Sequence, residues 1–225
     1  MQDDAEILAN FTGIARLFPL PSLVLFPHVI QGLHIFEPRY REMLADTISD
    51  DMLMALVLLK PGWEQEYDGH PAIENVACLG RVGPWERLSD GRYNLKLRGL
   101  SRIRIVGELD SDTPYRIAEV EVMADEVTSE LAQLKAMRQL VADAVLPRFA
   151  ENSPTRLQVE DLFHGETPVG PLTDMLSYAL PLPLEMKQRL LAESDVSVRC
   201  EILADALKLK SSATMRKFPP DFSMN

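Results

Sequence analysis

Near Asp125 the apolar residues change their spacing, from the two-residue period of strands to the 3.6-residue period of helices. From residue 14 to residue 123 the chain reads as strands and turns with one short helix. Beyond that point Val127, Leu131, Leu134, Met137, Val141 and Val145 recur at helical spacing up to Pro147. Strands gathered first and helices afterwards give an α+β chain, and 225 residues suit two core-bearing units. The expected organisation is a β-rich unit at residues 1–125, a helical bundle at residues 126–210 and a loose tail at residues 211–225.

Within the first unit, residues 14–20 alternate weakly, and Pro19, Pro21 and Pro27 point to an edge strand followed by a loop, because proline cannot donate to a central ladder. Residues 33–36 read as a short strand. Pro38 suits the first position of a helix that puts Tyr40, Met43, Leu44 and Ile48 on one face and ends near Ser49-Asp50-Asp51. Residues 52–59 are a continuous apolar run, as in a central strand buried on both faces. Residues 61–75 carry Gly62, Gly69 and Pro71 among charged groups and read as a mobile surface loop with no element of its own. Four strands, at 77–88, 93–98, 102–109 and 115–123, then form an antiparallel meander, with a hairpin turn at Asp90-Gly91. In the second unit Pro154, Pro171 and Pro183 mark helix starts. Ser194 or Asp195 caps a last helix with Val198, Ile202, Leu203, Ala206 and Leu209 facing inward.

The net charge of −11 sets a mean field that repels phosphate backbones and anionic lipid, so nucleic acid is disfavoured as a general partner. No apolar run approaches the roughly 20 residues of a membrane-spanning helix, and the acidic start Met1-Gln2-Asp3-Asp4 is unlike a secretory signal. Cys78 and Cys200 lie in different halves without metal or disulfide spacing and read as buried thiols of a cytoplasmic protein. There is no Gly-Lys dipeptide, hence no P-loop, and no GxGxxG, GxSxG or HExxH. No catalytic residue, cofactor or metal is therefore assigned.

His28, His34 and Glu37 offer the ligand types of a zinc site, but their spacing is not diagnostic and they read better as ordinary loop and strand residues. Glu64, Glu66 and Asp68 read as solvated loop carboxylates. Trp63 and Tyr67, large aromatics outside regular structure, either plug the core or await a partner. Between Arg87 and Arg104 six basic residues face one acid, Asp90. Arg92, Lys96, Arg98, Arg102 and Arg104 fall on one side at strand period, giving either a sheet face paired with Glu119 and Glu121 or a surface for anions or RNA.

Three strings, Leu17-Phe18-Pro19-Leu20, Leu23-Val24-Leu25-Phe26-Pro27-His28 and His34-Ile35-Phe36-Glu37-Pro38-Arg39-Tyr40-Arg41, resemble the N-terminal substrate-recognition domain of Lon-type ATP-dependent proteases. The third is closest to stand-alone proteins built on that domain. Gly91-Arg92-Tyr93, Gly99-Leu100 and Arg102 resemble its hairpin, and residues 184–207, with Lys187, Gln188, Asp195 and Arg199, resemble its helical end. The resemblance implies a PUA-like mixed β-barrel followed by a helical bundle that engages protein substrates or partners. Full Lon proteases continue into ATPase and serine-lysine peptidase modules, neither of which is found before Asn225, so no hydrolytic activity is expected. The expected role is binding of apolar or unfolded polypeptide segments, with Phe26, His28, Val29, Leu33, Phe36, Trp63 and Tyr67 as candidate contacts. The alternative is RNA binding through the basic strands.

Overall fold

The apolar run at residues 52–59 becomes β3 (Leu53–Leu58), with all six residues buried. It lies between β1 (Ile14–Leu20), which pairs with it in parallel, and β4 (Val76–Arg87), which pairs antiparallel. The computed structural model describes residues 4–65, 69–128 and 130–208. They divide into two compact units, one up to Met123 and one from Ala124.

In the first unit β4 pairs with β5 (Tyr93–Leu109), β5 with β6 (Arg116–Met123), and β6 with β1, so the pairings run in a circuit of five strands. β2 (Ile30–Ile35) attaches to the outer side of β5. The strand period sends Ala15 and Leu17, then Leu53, Ala55 and Val57, then Ala77 and Leu79, Leu100 and Ile103, and finally Ala118 and Val120 into one shared core. The other face of β3, with Met54, Leu56 and Leu58, is buried as well. Tyr40, Met43 and Leu44 are the buried apolar residues of α2 (Pro38–Ser49), and the Tyr40 ring meets Phe18 of β1 edge-on at 4.7 Å. Burial on both faces explains why β3 reads as an unbroken apolar run.

Four features depart from the sequence reading. β1 is internal to the circuit, yet Pro19 is tolerated because the β6 ladder stops at the Leu17–Arg116 pair, leaving Pro19 without a partner on that side. The strands expected at 93–98 and 102–109 are one strand, with a register irregularity opposite Leu79 and Gly80 in place of a turn. The loop at 61–75 has structure at both ends. Residues 63–65 form a single 3-10 turn, and Ile73 is buried beside Leu59 with main-chain bonds from Lys60 to Ala72 and from Glu74 to Leu58. Finally α1 (Asp4–Ala9) escapes sequence detection, being too short to show a period, and is fixed by Ile7 in the core.

The second unit contains α3 (Leu131–Val145), α4 (Pro154–His164), α5 (Val169–Ala179), α6 (Leu184–Ala192) and α7 (Val196–Lys208). Pro154 takes the first turn of α4, while Pro171 falls inside the first turn of α5 and Pro183 becomes the N-cap of α6. Asp195 caps α7 by accepting from the backbone amides of Ser197 and Val198. The long helix starts later than its pattern implies, leaving Val127 and Leu131 exposed. On α7 the buried face is Val196, Arg199, Cys200, Leu203, Ala204, Ala206 and Leu207, so Val198 points outward. Leu209 and the tail at 211–225 lie outside the described residues.

Candidate functional site

β2 enters from a turn over Phe26–Val29, in which Pro27 holds the second position and His28 the third with φ of 66°. The His28 amide donates to Gly99 O at 2.9 Å and the Gly99 amide to Val29 O at 2.9 Å, which seats the strand on β5. Its register is Ile30 opposite Arg98, Gly32 opposite Lys96 and His34 opposite Asn94. At its far end Glu37 occupies the N-cap position of α2, whose first residue is Pro38, without a side-chain capping bond. Among the described residues β5 is the only strand paired with β2, so alternate main-chain groups of β2 are directed away from the sheet. One of its carbonyls, on Gly32, accepts from the Gln31 side-chain amide.

Exposed apolar groups lie on one face of this edge, and a further one lies two strands in on the other face. Ile30 (60% exposed) and Phe36 (45%) lie on the outer face, where the Phe36 ring stacks on His34 at 6.2 Å. Trp85 (44% exposed) is paired with Leu95 and so shares the opposite face with Leu33, its ring 6.1 Å from that of Tyr93. Trp85 was missed in the sequence because β4 reads there as a plain strand end. A register shift between Val82 and Trp85, beside Gly83 and Pro84, sets it on the surface.

The residues singled out in the sequence divide. Leu33, His34 and Phe36 belong to this edge, whereas Phe26 and Val29 are buried in the core, because the turn folds them against Gly99. His28 is exposed at the turn, Trp63 is half-buried against the circuit's core as a plug, and Tyr67 lies outside the described residues, as do Glu66 and Asp68. His34 and Glu37 have separate partners: His34 Nδ1 meets Asn94 Oδ1 at 2.7 Å, while Glu37 pairs with Arg39 at 2.9 Å. The basic strip does not form one surface. Arg102 is buried, at 2% exposed. Arg92 pairs with Asp90, Arg98 with Asp4 and Arg104 with Glu121, the last at 3.9 Å. The hydrogen bond from Arg92 also holds the Asp90 carboxyl below the usual carboxylate range.

Behind the edge, Glu37, Pro38, Arg39 and Tyr40 line a cleft of about 590 Å³ closed on the other side by Pro114, Tyr115 and Arg116. Tyr115 donates to Asp46 Oδ2 at 2.6 Å, and burial together with that acceptor raises its pKa to about 12. Its folded-state value is above the ordinary 10, so its contribution to stability is present below pH 10 and is lost as the pH climbs towards 12. Absorbance titration at 295 nm should therefore show a tyrosine ionising about two pH units late, and Tyr115→Phe should remove that step. A titration of Tyr115→Phe identical to that of the parent chain would refute the assignment.

Residues 14–208 match the family described as the ATP-dependent protease La (LON) substrate-binding domain. The chain is 25% identical over 203 residues to Lon protease 2 of Myxococcus xanthus, covering 88% of this chain and 24% of that protein. With the Lon protease of Azospirillum brasilense it shares 27% over 189 residues, 82% of this chain and 23% of that one. It thus spans about a quarter of the length of these relatives. Among solved structures, a Lon N-terminal domain protein from Xanthomonas campestris superposes with a TM-score of 0.59 at 26% identity, over 85% of this chain and 97% of that one. The N-terminal domain of a Mycobacterium avium complex Lon protease gives 0.69 at 14% identity, over 87% and 98%, a likeness of fold. An α+β fold with these strands and helices, matched over nearly its whole length, places this chain in the LON substrate-binding domain family.

Proposed function

We propose that this chain is a non-catalytic module that binds polypeptides by taking an extended segment as an added strand on the free edge of β2. The observation that carries the reading is that edge itself, with one side unpaired among the described residues and exposed Ile30 and Phe36 beside it. Main-chain bonding along an edge strand gives affinity with little demand on sequence, and flanking apolar groups add contact area. That suits a module serving many unfolded chains. The family description and the matched relatives, which are proteases, support a protein as the bound species. Two free, buried cysteines fit a reducing cytoplasm. RNA recognition gains nothing from the geometry, since Arg92, Arg98 and Arg104 each pair with a carboxylate and Arg102 is buried.

The test uses fluorescence anisotropy with β-casein, an unfolded polypeptide, and with a synthetic decapeptide of alternating valine and threonine. Ile30→Asp and Phe36→Asp alter exposed side chains and should leave thermal stability within about 0.5 kcal/mol, while weakening binding by roughly 5- to 30-fold each, the range of an interface anchor. Methylating alternate main-chain nitrogens of the decapeptide should abolish binding in one phase of alternation and spare it in the other. Equal tolerance of both phases would rule out strand addition, and tight RNA binding at physiological salt without polypeptide binding would overturn the whole reading.

A further inference from the structure

We infer that the β2 edge selects segments carrying an acidic side chain, and that Lys96 makes the selection across Gly32. This deepens the strand-addition reading and rests on it. Of the cations on the face of Lys96, Arg92 just before β5 and Arg98 within it have carboxylate partners. Lys96 is exposed and has none among the described residues. The register sets it opposite Gly32 on β2. On its other flank is Gly83 of β4, where an added Cβ would meet Lys96 O at 3.2 Å and Lys96 Cβ at 3.9 Å. The lysine thus stands between two positions without side chains, and no neighbour on β2 blocks its stem on the way to the free edge.

Strands lie about 4.8 Å apart, so a strand added to β2 runs about 10 Å from β5. The four-carbon lysine stem covers more than half of that distance, and a glutamate on the added strand opposite Gly32 covers the remainder. With a side chain at residue 32 the two could not meet. The flanking positions of the bound segment lie opposite Ile30 and His34, the latter stacked on Phe36, and therefore take apolar or aromatic groups. The bound segment is accordingly extended, with one carboxylate between apolar neighbours on the face towards Lys96. The molecule's overall charge of −11 disfavours acidic ligands at long range, which makes a local acid preference diagnostic of this contact.

The experiment compares three versions of the valine-threonine decapeptide, with Glu, Gln or Lys at one central threonine, binding to the full chain. The Glu peptide should bind about three- to fivefold more tightly than the Gln peptide at low salt, as expected of a part-exposed ion pair. That advantage should shrink towards unity at 0.5 M salt. Lys96→Gln should remove the difference while leaving the Gln peptide's affinity unchanged, and Lys96→Glu should reverse the order in favour of the Lys peptide. Gly32→Val should remove the preference even though Lys96 remains. Equal binding of the Glu and Gln peptides, or an acid preference that survives Lys96→Gln, overturns the inference and leaves strand addition standing. If none of the three peptides binds, both fall.

Discussion

Replacing Arg199 with methionine is expected to cost about 3–5 kcal/mol of folding stability, the range for breaking a buried ion pair from one side. Arg199 is fully buried on α7. Its two terminal nitrogens reach the Asp125 carboxylate at 3.0 and 2.6 Å, Nη1 also donates to Glu193 O at 2.8 Å, and Nε lies 3.2 Å from Oδ1 of Asp174, itself fully buried. That last approach is an ion contact with an angle too poor for a hydrogen bond. Burial alone would lower the guanidinium pKa, but Asp125 and Asp174 outweigh it and the net direction is upward. Methionine would fill much of the space and strip the cation from between two carboxylates. Urea denaturation followed by circular dichroism measures the loss. A double change to Arg199→Met with Asp174→Leu should recover a large part, because an ion pair replaced whole by apolar groups is often neutral. A single-variant loss below about 1 kcal/mol would show that the network is not what holds these helices.

Gly99→Val is expected to cost about 3 kcal/mol or more, the upper range for forced overpacking. The constraint is space. A Cβ on residue 99 would fall 2.1 Å from the carbonyl oxygen of Phe26, a main-chain atom that cannot move without breaking the bonds seating His28 and Val29 on β5. Gly107 sits on the same strand with nothing within 4 Å of its hypothetical Cβ, so Gly107→Ala should stay within about 0.5 kcal/mol. Thermal melts of the two variants make the comparison. Because residues 26–29 lead directly into β2, polypeptide binding should fall with stability in the Gly99 variant. A Gly99→Val chain as stable as the parent would mean that the turn is not packed on β5.

The sequence was most legible where period and burial agree. β3 declared itself by a run of apolar residues, α2 by Pro38 and a clean face, and the hairpin by Asp90-Gly91, where Gly91 has φ of 83°. Reading was hardest where a residue's fate depends on partners far along the chain. Nothing local to β5 shows that Arg102 is buried while Arg104 is exposed, and nothing local to α7 shows that Arg199 is buried, since its acceptor Asp125 is 74 positions away. Residues 99–101 fall between two strands in the sequence reading. Only the approach of Phe26 shows that glycine is there for clearance within one strand. Part of the candidate edge was visible through Leu33 and Phe36. The openness of β2 among the described residues depends on sheet order, which no single stretch of sequence encodes.

The order of strands also has a consequence for the chain while it is being made. β1 and β3 are parallel neighbours, so the connection between them must cross over, and β2 and α2 are threaded within that crossover. Among the described residues the only strand paired with β2 is β5, with His34 and Asn94 separated by 60 positions. At roughly 5–20 residues per second, β2 leaves the ribosome several seconds before β5 can reach it. During that interval both of its sides lack a strand partner, and afterwards one remains so among the described residues. The nascent chain therefore carries β2 without its strand partner until residues 93–98 have been made.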